Sequence, residues 1–149
     1  MSSARRNLVS GVLGGVGLIA FVDETVFHQL LHWHHFYDRS TAAVGLVSDG
    51  LFHAFGFFAV VSSLFLVADL RRRQDLHWAR WSGGLLLGAG VFQLYDGLVQ
   101  HKLFGLHQIR YDVDLVPYDL VWNITAGVMI VVGVGLTLRT GAKRRAADG

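Results

Sequence analysis

Apolar side chains fall into four long blocks, Leu8–Leu31, Ala43–Leu70, Trp81–Phe104 and Leu115–Leu138, separated by short charged stretches. Each block is near or above the ~20 residues an α-helix needs to cross a hydrocarbon core of ~30 Å. Lipid offers the backbone no hydrogen-bond partner, and the blocks lack the strict polar–apolar alternation of barrel strands, so helices are the expected form. The pattern predicts an all-α membrane protein: a four-transmembrane-helix bundle with helices over about 8–35, 43–70, 81–104 and 115–138, forming a single domain over residues 1–149. The first block follows Arg5 and Arg6 as a secretory signal would. Its length, the acid Asp23 within it and its likeness to the third block predict that it is retained.

Composition agrees with this reading. Of 149 residues, 52% are apolar and the mean hydropathy is +0.42, which is too oily for an ordinary soluble domain. The basic residues set an orientation. With four crossings, Arg5, Arg6, Arg71, Arg72, Arg73, Arg80, Arg139, Lys143, Arg144 and Arg145 share one side, leaving Arg39, Lys102 and Arg110 on the other. The positive-inside rule then makes both termini and the middle loop cytoplasmic. A pI near 9.3 follows from that topology; contact with anionic lipid accounts for the basic runs, and no nucleic-acid partner is expected. Trp78 and Trp81 at the inner boundary, with Trp33, Tyr37, Tyr111, Tyr118 and Trp122 near the outer one, fit interfacial aromatic belts.

The first and third blocks are related. Each ends in DxxxxHxxxxxH: Asp23, His28 and His34 in the first, Asp96, His101 and His107 in the third. The glycines recur in step at the same offset, Gly11, Gly15 and Gly17 with Gly84, Gly88 and Gly90. Small side chains placed one helical turn apart let membrane helices approach closely. The second and fourth blocks match more weakly, SDGLFH over YDLVWN, which pairs Asp49 with Asp119 and His53 with Asn123. The expected architecture is two tandem helical hairpins about a pseudo-twofold axis along the membrane normal, with helices 1 and 3 facing each other diagonally across the bundle.

On this topology the acids and imidazoles of the apolar blocks all lie in the extracytoplasmic half. Ionisable groups are costly inside a bilayer and generally functional there. Asp49 and His53 stand one helical turn apart and share a face. Asp23 and His28 are five apart, about 140° around a regular helix, so both reach one ion only across a π-bulge or a helix end. His34 and His35 fall just beyond the first helix. Glu24 and His32 also share a face with His28, but Gly97 and Gly105 stand at their repeat positions, so they carry less weight; Gln93, Asp96 and Gln100 form a stripe on helix 3.

Nitrogen and oxygen ligands suit a transition-metal ion, Zn, Fe, Cu or Mn, one or two per chain, with unmatched Asn123 leaving one position open. The absence of cysteine, with methionine only at Met1 and Met129, removes disulfides and a soft Cu(I) site. Simple Asp–His pairing between helices contributes only about 0.6 kcal/mol per bond, little return for so many ionisable groups. The residues leave three alternatives beside metal handling: a metalloenzyme, hydrolase or di-metal oxidase/hydroxylase, acting on a lipid-soluble substrate; a haem held by His28 and His101; and a proton path.

The segments FVDxxxxHQLLxWHH, SDGLFHAFGFF, FQLYDGLVQHKLFGLHQIRY and PYDLVWN resemble a bacterial family of small four-pass membrane proteins known only as a domain of unknown function. The resemblance covers nearly the whole chain. It implies a bacterial plasma-membrane protein whose relatives are often encoded beside cytochrome oxidase assembly and copper-handling genes, and hence respiratory oxidase or metal-handling partners in addition to the lipid bilayer; a homo-oligomer is compatible with it. The matched residues are Asp23, His28, His34, His35, Asp49, His53, Asp96, His101, His107, Asp119 and Asn123. HQLLHWHH is also similar to the histidine boxes of membrane di-iron desaturases, which are much longer and carry those boxes on the cytoplasmic side.

Overall fold

The computed structural model describes residues 1–147, with side chains through residue 142. The side chains of Lys143, Arg144 and Arg145, counted above among the basic residues, lie outside the described ones. Four helical rods account for most of the chain. Helix α1 spans Ser3–Asp23 and continues through π-helical turns over Glu24–Leu30; α2 spans Ala42–Arg72; α3 spans Trp78–Tyr95 and continues through π-helical turns over Asp96–Phe104; α4 spans Val116–Ala147. Three stretches, Ser3–Leu30, Ala42–Arg72 and Val116–Ala142, are long and apolar enough to cross a membrane. Glycines and the polar ends of the third rod dilute its hydropathy, yet its 18 α-helical and nine π-helical residues give it comparable length.

The first helix stops at Leu30, short of the expected 35. Its last turns are wide, with Leu31 N–H bonded to Val26 O and Trp33 N–H to Phe27 O, and His32 then adopts φ 50°. The histidine cluster therefore peels away from the helix and becomes loop. Gly105, φ 56°, ends the third rod in the same way, its N–H bonded to Gln100 O.

Helices α1 and α3 form the centre, with α2 packed on α1 and α4 packed on α3. Glycine lets the backbones of α1 and α3 touch. A Cβ on Gly15 would strike Leu85 O, one on Gly88 would strike Val12 O, and one on Gly84 would sit 2.6 Å from Leu8 O. Gly17 serves the α1–α2 contact against Val60 N at 2.7 Å, and Gly90 serves α3–α4 against Ala126 O at 2.7 Å.

The exterior is apolar and much of the interior is small or polar. Leu46, Leu51, Phe58, Phe65, Val121 and Val131 are exposed, whereas the buried apolar set is mainly Ala20, Ala59, Ala89, Ala126, Phe52, Leu70 and Ile109. Close packing of small residues, with large side chains turned outward, is how helices associate where lipid removes the hydrophobic drive. At one end, Asn7 Nδ2 donates to Asp75 O at 2.8 Å and Arg80 donates to Ala4 O and Thr137 O, so the start of α1, the α2–α3 turn and the last turns of α4 meet. Arg6, Arg72 and Arg73 converge on Asp69 there. At the other end the loops after α1 and α3 fold over each other, Asp38 N–H donating to Leu106 O at 3.0 Å.

Candidate metal centre

Two elements lift the repeated acids and imidazoles into one place. The π turns resolve the mismatch between a five-residue spacing and a regular helix: i→i+5 hydrogen bonding widens the coil, so residues five apart face the same way. His28 Nε2 accordingly lies 3.7 Å from Asp23 Oδ2, and His101 Nε2 lies 3.0 Å from Asp96 Oδ2. The loops beyond then bring in the remaining pair. His34 and His107 stack with ring centroids 4.6 Å apart and planes 6° from parallel.

Each of these two rings is held by the other half of the chain. His34 Nδ1–H donates to Ile109 O at 3.0 Å, and His107 Nδ1–H donates to Phe36 O at 2.9 Å. Ile109 stands two residues past His107 and Phe36 two past His34, so the braces are reciprocal. Because a carbonyl only accepts, both rings must carry the proton on Nδ1 when neutral, which leaves each Nε2 lone pair directed elsewhere. The remaining ring contacts match in pairs: His28–His34 at 4.4 Å with His101–His107 at 4.6 Å, and His28–His107 with His34–His101, both at 6.1 Å.

The Nε2 atoms of His28, His34, His101 and His107 and Oδ2 of Asp96 are all buried with no hydrogen-bond partner. Asp23, His28, His34, Asp96, His101 and His107 are each at most 5% exposed. Orphaned buried donors and acceptors cost ~1–3 kcal/mol apiece, so five at one locus mark a place that could hold a common partner. The Asp96–His101 approach of 3.0 Å is not aligned as a hydrogen bond. It does match the edge between two ligands of one ion, about 2.9–3.5 Å for bonds of about 2.0–2.2 Å. Single donor atoms of Asp23, His28 and His34 lie within 4.8 Å of one another, as do those of His34, His101 and His107, so His34 is common to both sets.

Electrostatics favours ligands over proton carriers at His34 and His107, which sit in the loops. Burial, reinforced by the neighbouring imidazoles, lowers His34 to about 2. Burial lowers His107 to about 4 despite the attraction of Asp96. Neutral imidazole is the form that binds metal.

Three further acidic and basic groups back the His28 side. Asp49 Oδ1 accepts from Phe36 N–H at 2.7 Å and faces His28 Nδ1 at 3.2 Å, and Asp49 Oδ2 accepts from half-buried His35 at 2.6 Å. Glu24, 1% exposed, places Oε2 2.9 Å from His28 Nδ1. Glu24 earns little weight in the sequence because its repeat position is Gly97; its helical register with His28 is the signal that marks it. The structure does not bring His53, Asp119 or Asn123 into the cluster. His53 packs on Phe21 at 4.8 Å, Asp119 pairs with Lys102 at 2.6 Å, and Asn123 Nδ2 donates to Asp119 O at 2.9 Å. His32 is exposed and stays outside it as well. Gln93 Nε2 donates to Trp122 O at 2.7 Å, and the Gln93 backbone O accepts from the Trp122 indole at 3.0 Å, which ties this residue to α4.

Comparison with curated proteins and with solved structures finds no match. A family model described as a predicted membrane protein, DUF2243, a domain of unknown function, matches residues 10–140, and on that match the chain belongs to this family.

Proposed function

We propose that this membrane protein binds a transition-metal ion through Asp23, His28, His34, Asp96, His101 and His107 and acts in metal handling or in assembly of a respiratory enzyme. The observation that carries the proposal is the set of four buried, unpartnered imidazole Nε2 atoms beside two acids. A borderline divalent ion such as Zn²⁺, Fe²⁺, Mn²⁺ or Cu²⁺ suits this nitrogen and oxygen set. The reciprocal braces at His34 and His107 support the reading of two tandem hairpins about a pseudo-twofold axis. Arg5, Arg6, Arg71, Arg72, Arg73 and Arg80 at the opposite end support a site on the extracytoplasmic side of a bacterial plasma membrane, with cytoplasmic termini. A haem fits less well: stacked His34 and His107 rings, flanked edge-on by His28 and His101, leave no slot for a planar macrocycle.

The test is elemental analysis of the purified protein, as isolated and after loading with Zn, Fe, Mn and Cu in turn. Bound metal that is lost in His34→Ala and His107→Ala is the expected result. Metal no higher than background under every condition ends the proposal.

One observation favours a second reading as a metalloenzyme. A cavity of about 360 Å³ opens beside the site, lined by Phe36, Ser48, Phe52, Phe92, Tyr95 and Gln100 among others. An apolar, aromatic-lined cleft of this size suits a lipid-soluble substrate approaching a metal from the side.

A further inference from the structure

The four deeply buried carboxylates of the cluster, Asp23, Glu24, Asp49 and Asp96, have no lysine or arginine within ion-pair distance among the described residues; their ion-pair partners are all histidines. Four carboxylates gathered in a water-poor site need protons or cations to offset their charge, since unpaired buried charge carries a large penalty.

We propose a second cation site, built from Glu24 Oε2, Asp49 Oδ1 and Nδ1 of His28, so that His28 bridges two ions as an imidazolate. The proposal rests on the first site for the ion at His28 Nε2. The geometry supports it atom by atom. Glu24 Oε1 is occupied by Gln29 Nε2 at 2.7 Å, while Oε2 is buried without a hydrogen-bond partner and aimed at His28 Nδ1, 2.9 Å away. Asp49 Oδ1 stands 3.2 Å from the same nitrogen, and its carboxylate is held in place by Phe36 N–H and His35. Separations of this size are the edges expected between ligands of one ion at about 2.0–2.2 Å. On binding, the Nδ1 proton of His28 leaves to water. The second divalent ion adds two positive charges and the departing proton removes one, so the site becomes more positive by one charge.

The second half of the chain has discarded the equivalent site. In the register that carries His28 onto His101, Glu24 corresponds to Gly97 and His35 to Gln108; Asp49 corresponds in the packing of α4 to Asp119, which pairs with Lys102 at 2.6 Å instead. A Cβ on Gly97 would lie 2.7 Å from Trp122 Cδ1, so the indole fills the space that a glutamate there would need. His101 packs near that indole, 6.5 Å between ring centroids. The centre is therefore one shared ion on the pseudo-axis and one ion to its side, two and not three.

The experiment uses the full chain in detergent, loaded with Cu²⁺, the strongest binder of the divalent series and visible by electron paramagnetic resonance, then washed with a weak chelator. Expected are two coppers per chain with a resonance signal well below two spins, because the bridging imidazolate couples them. Glu24→Gln and Asp49→Asn should each retain one copper and show the full signal of one isolated spin. One copper in the native chain, unchanged in Glu24→Gln, overturns the second site and leaves the first standing. Two coppers with two full spins overturns the bridge, and loss of both coppers in Glu24→Gln overturns the independence of the sites. No copper in the native chain overturns the underlying metal reading.

Discussion

Replacing Gly88 by alanine should both destabilise the protein and weaken its metal affinity, although the residue is remote from the ligands. The added Cβ would lie 2.8 Å from Val12 Cα and 2.9 Å from Val12 C, with Val12 O closer still. Carbon atoms prefer about 3.5–4.0 Å, so α1 and α3 must part by about 1 Å, and backbone cannot rotate away as a side chain can. Overpacking of this kind costs about 1–3 kcal/mol. Alanine's better helix propensity returns about 0.5–1 kcal/mol. The net expectation, from those two magnitudes, is a loss of about 1–2 kcal/mol in reversible unfolding in mixed micelles. Gly88 precedes Asp96 by eight residues, roughly 12 Å of helix, so part of the separation reaches the site. Ligand distances tolerate about ±0.2 Å, so even half the displacement is too much. Metal affinity, read by chelator competition, should fall about ten- to a hundredfold, the loss typical of misplaced ligands. Gly127→Ala is the control, because nothing lies within 4 Å of its Cβ; it should be neutral or slightly stabilising. Native affinity and stability in Gly88→Ala, or a worse result for Gly127→Ala, would refute the idea that the glycine seam sets the width of the site.

The metal-free protein should lose stability with acid through His107. Its folded value of about 4 lies below the ordinary 6.5, so between those values the unfolded chain binds the extra proton and stability falls as pH falls, by about 3 kcal/mol at pH 4. His107→Asn should flatten that part of the profile relative to the native chain, and parallel profiles would contradict it. Lys102→Ala removes the partner of Asp119, a pair whose side chains are 39% and 20% exposed, and should cost at most about 1 kcal/mol with metal content unchanged. His53→Ala should likewise leave metal content intact, since its ring rests on Phe21; a drop in bound metal would return His53 to the site.

The helical class and the glycine seam were legible because lipid leaves few alternatives: apolar runs of spanning length must be helices, and the pairs Gly11–Gly15 and Gly84–Gly88, each one turn apart, require close approach. The duplicated Asp, His and second His were legible as a repeat. What escaped was geometry that depends on the backbone departing from a regular helix. His34 was legible as a candidate ligand but its placement was not, since only the wide turns after Asp23 and the left-handed His32 swing it back over His28. Asp49 and Asp119 look alike in sequence, one turn before His53 and Asn123. Yet Asp49 is buried under His28 and His35, while Asp119 reaches Lys102 on the flank. Laying SDGLFH over YDLVWN gives the register in which α2 and α4 pack, Gly17 against Gly56 and Val60 as Gly90 against Ala126 and Ile130, so the two acids are counterparts with different partners.

The different partners of these two acids bear on how such a centre is assembled. The symmetric part, His34 and His107 with their crossed braces to Ile109 and Phe36, couples the two halves, because neither ring is oriented without a carbonyl from the other loop. Glycine contacts between α1 and α3 fix the distance between the halves, and the π turns fix the direction of His28 and His101. On the proposed reading, the ion site lies between the two halves and neither half contains it alone. The asymmetric acids Glu24 and Asp49 then act on one imidazole of the four. Acids behind His28, set against Gly97 and a lysine-paired Asp119 in the other half, make the two sides chemically unequal.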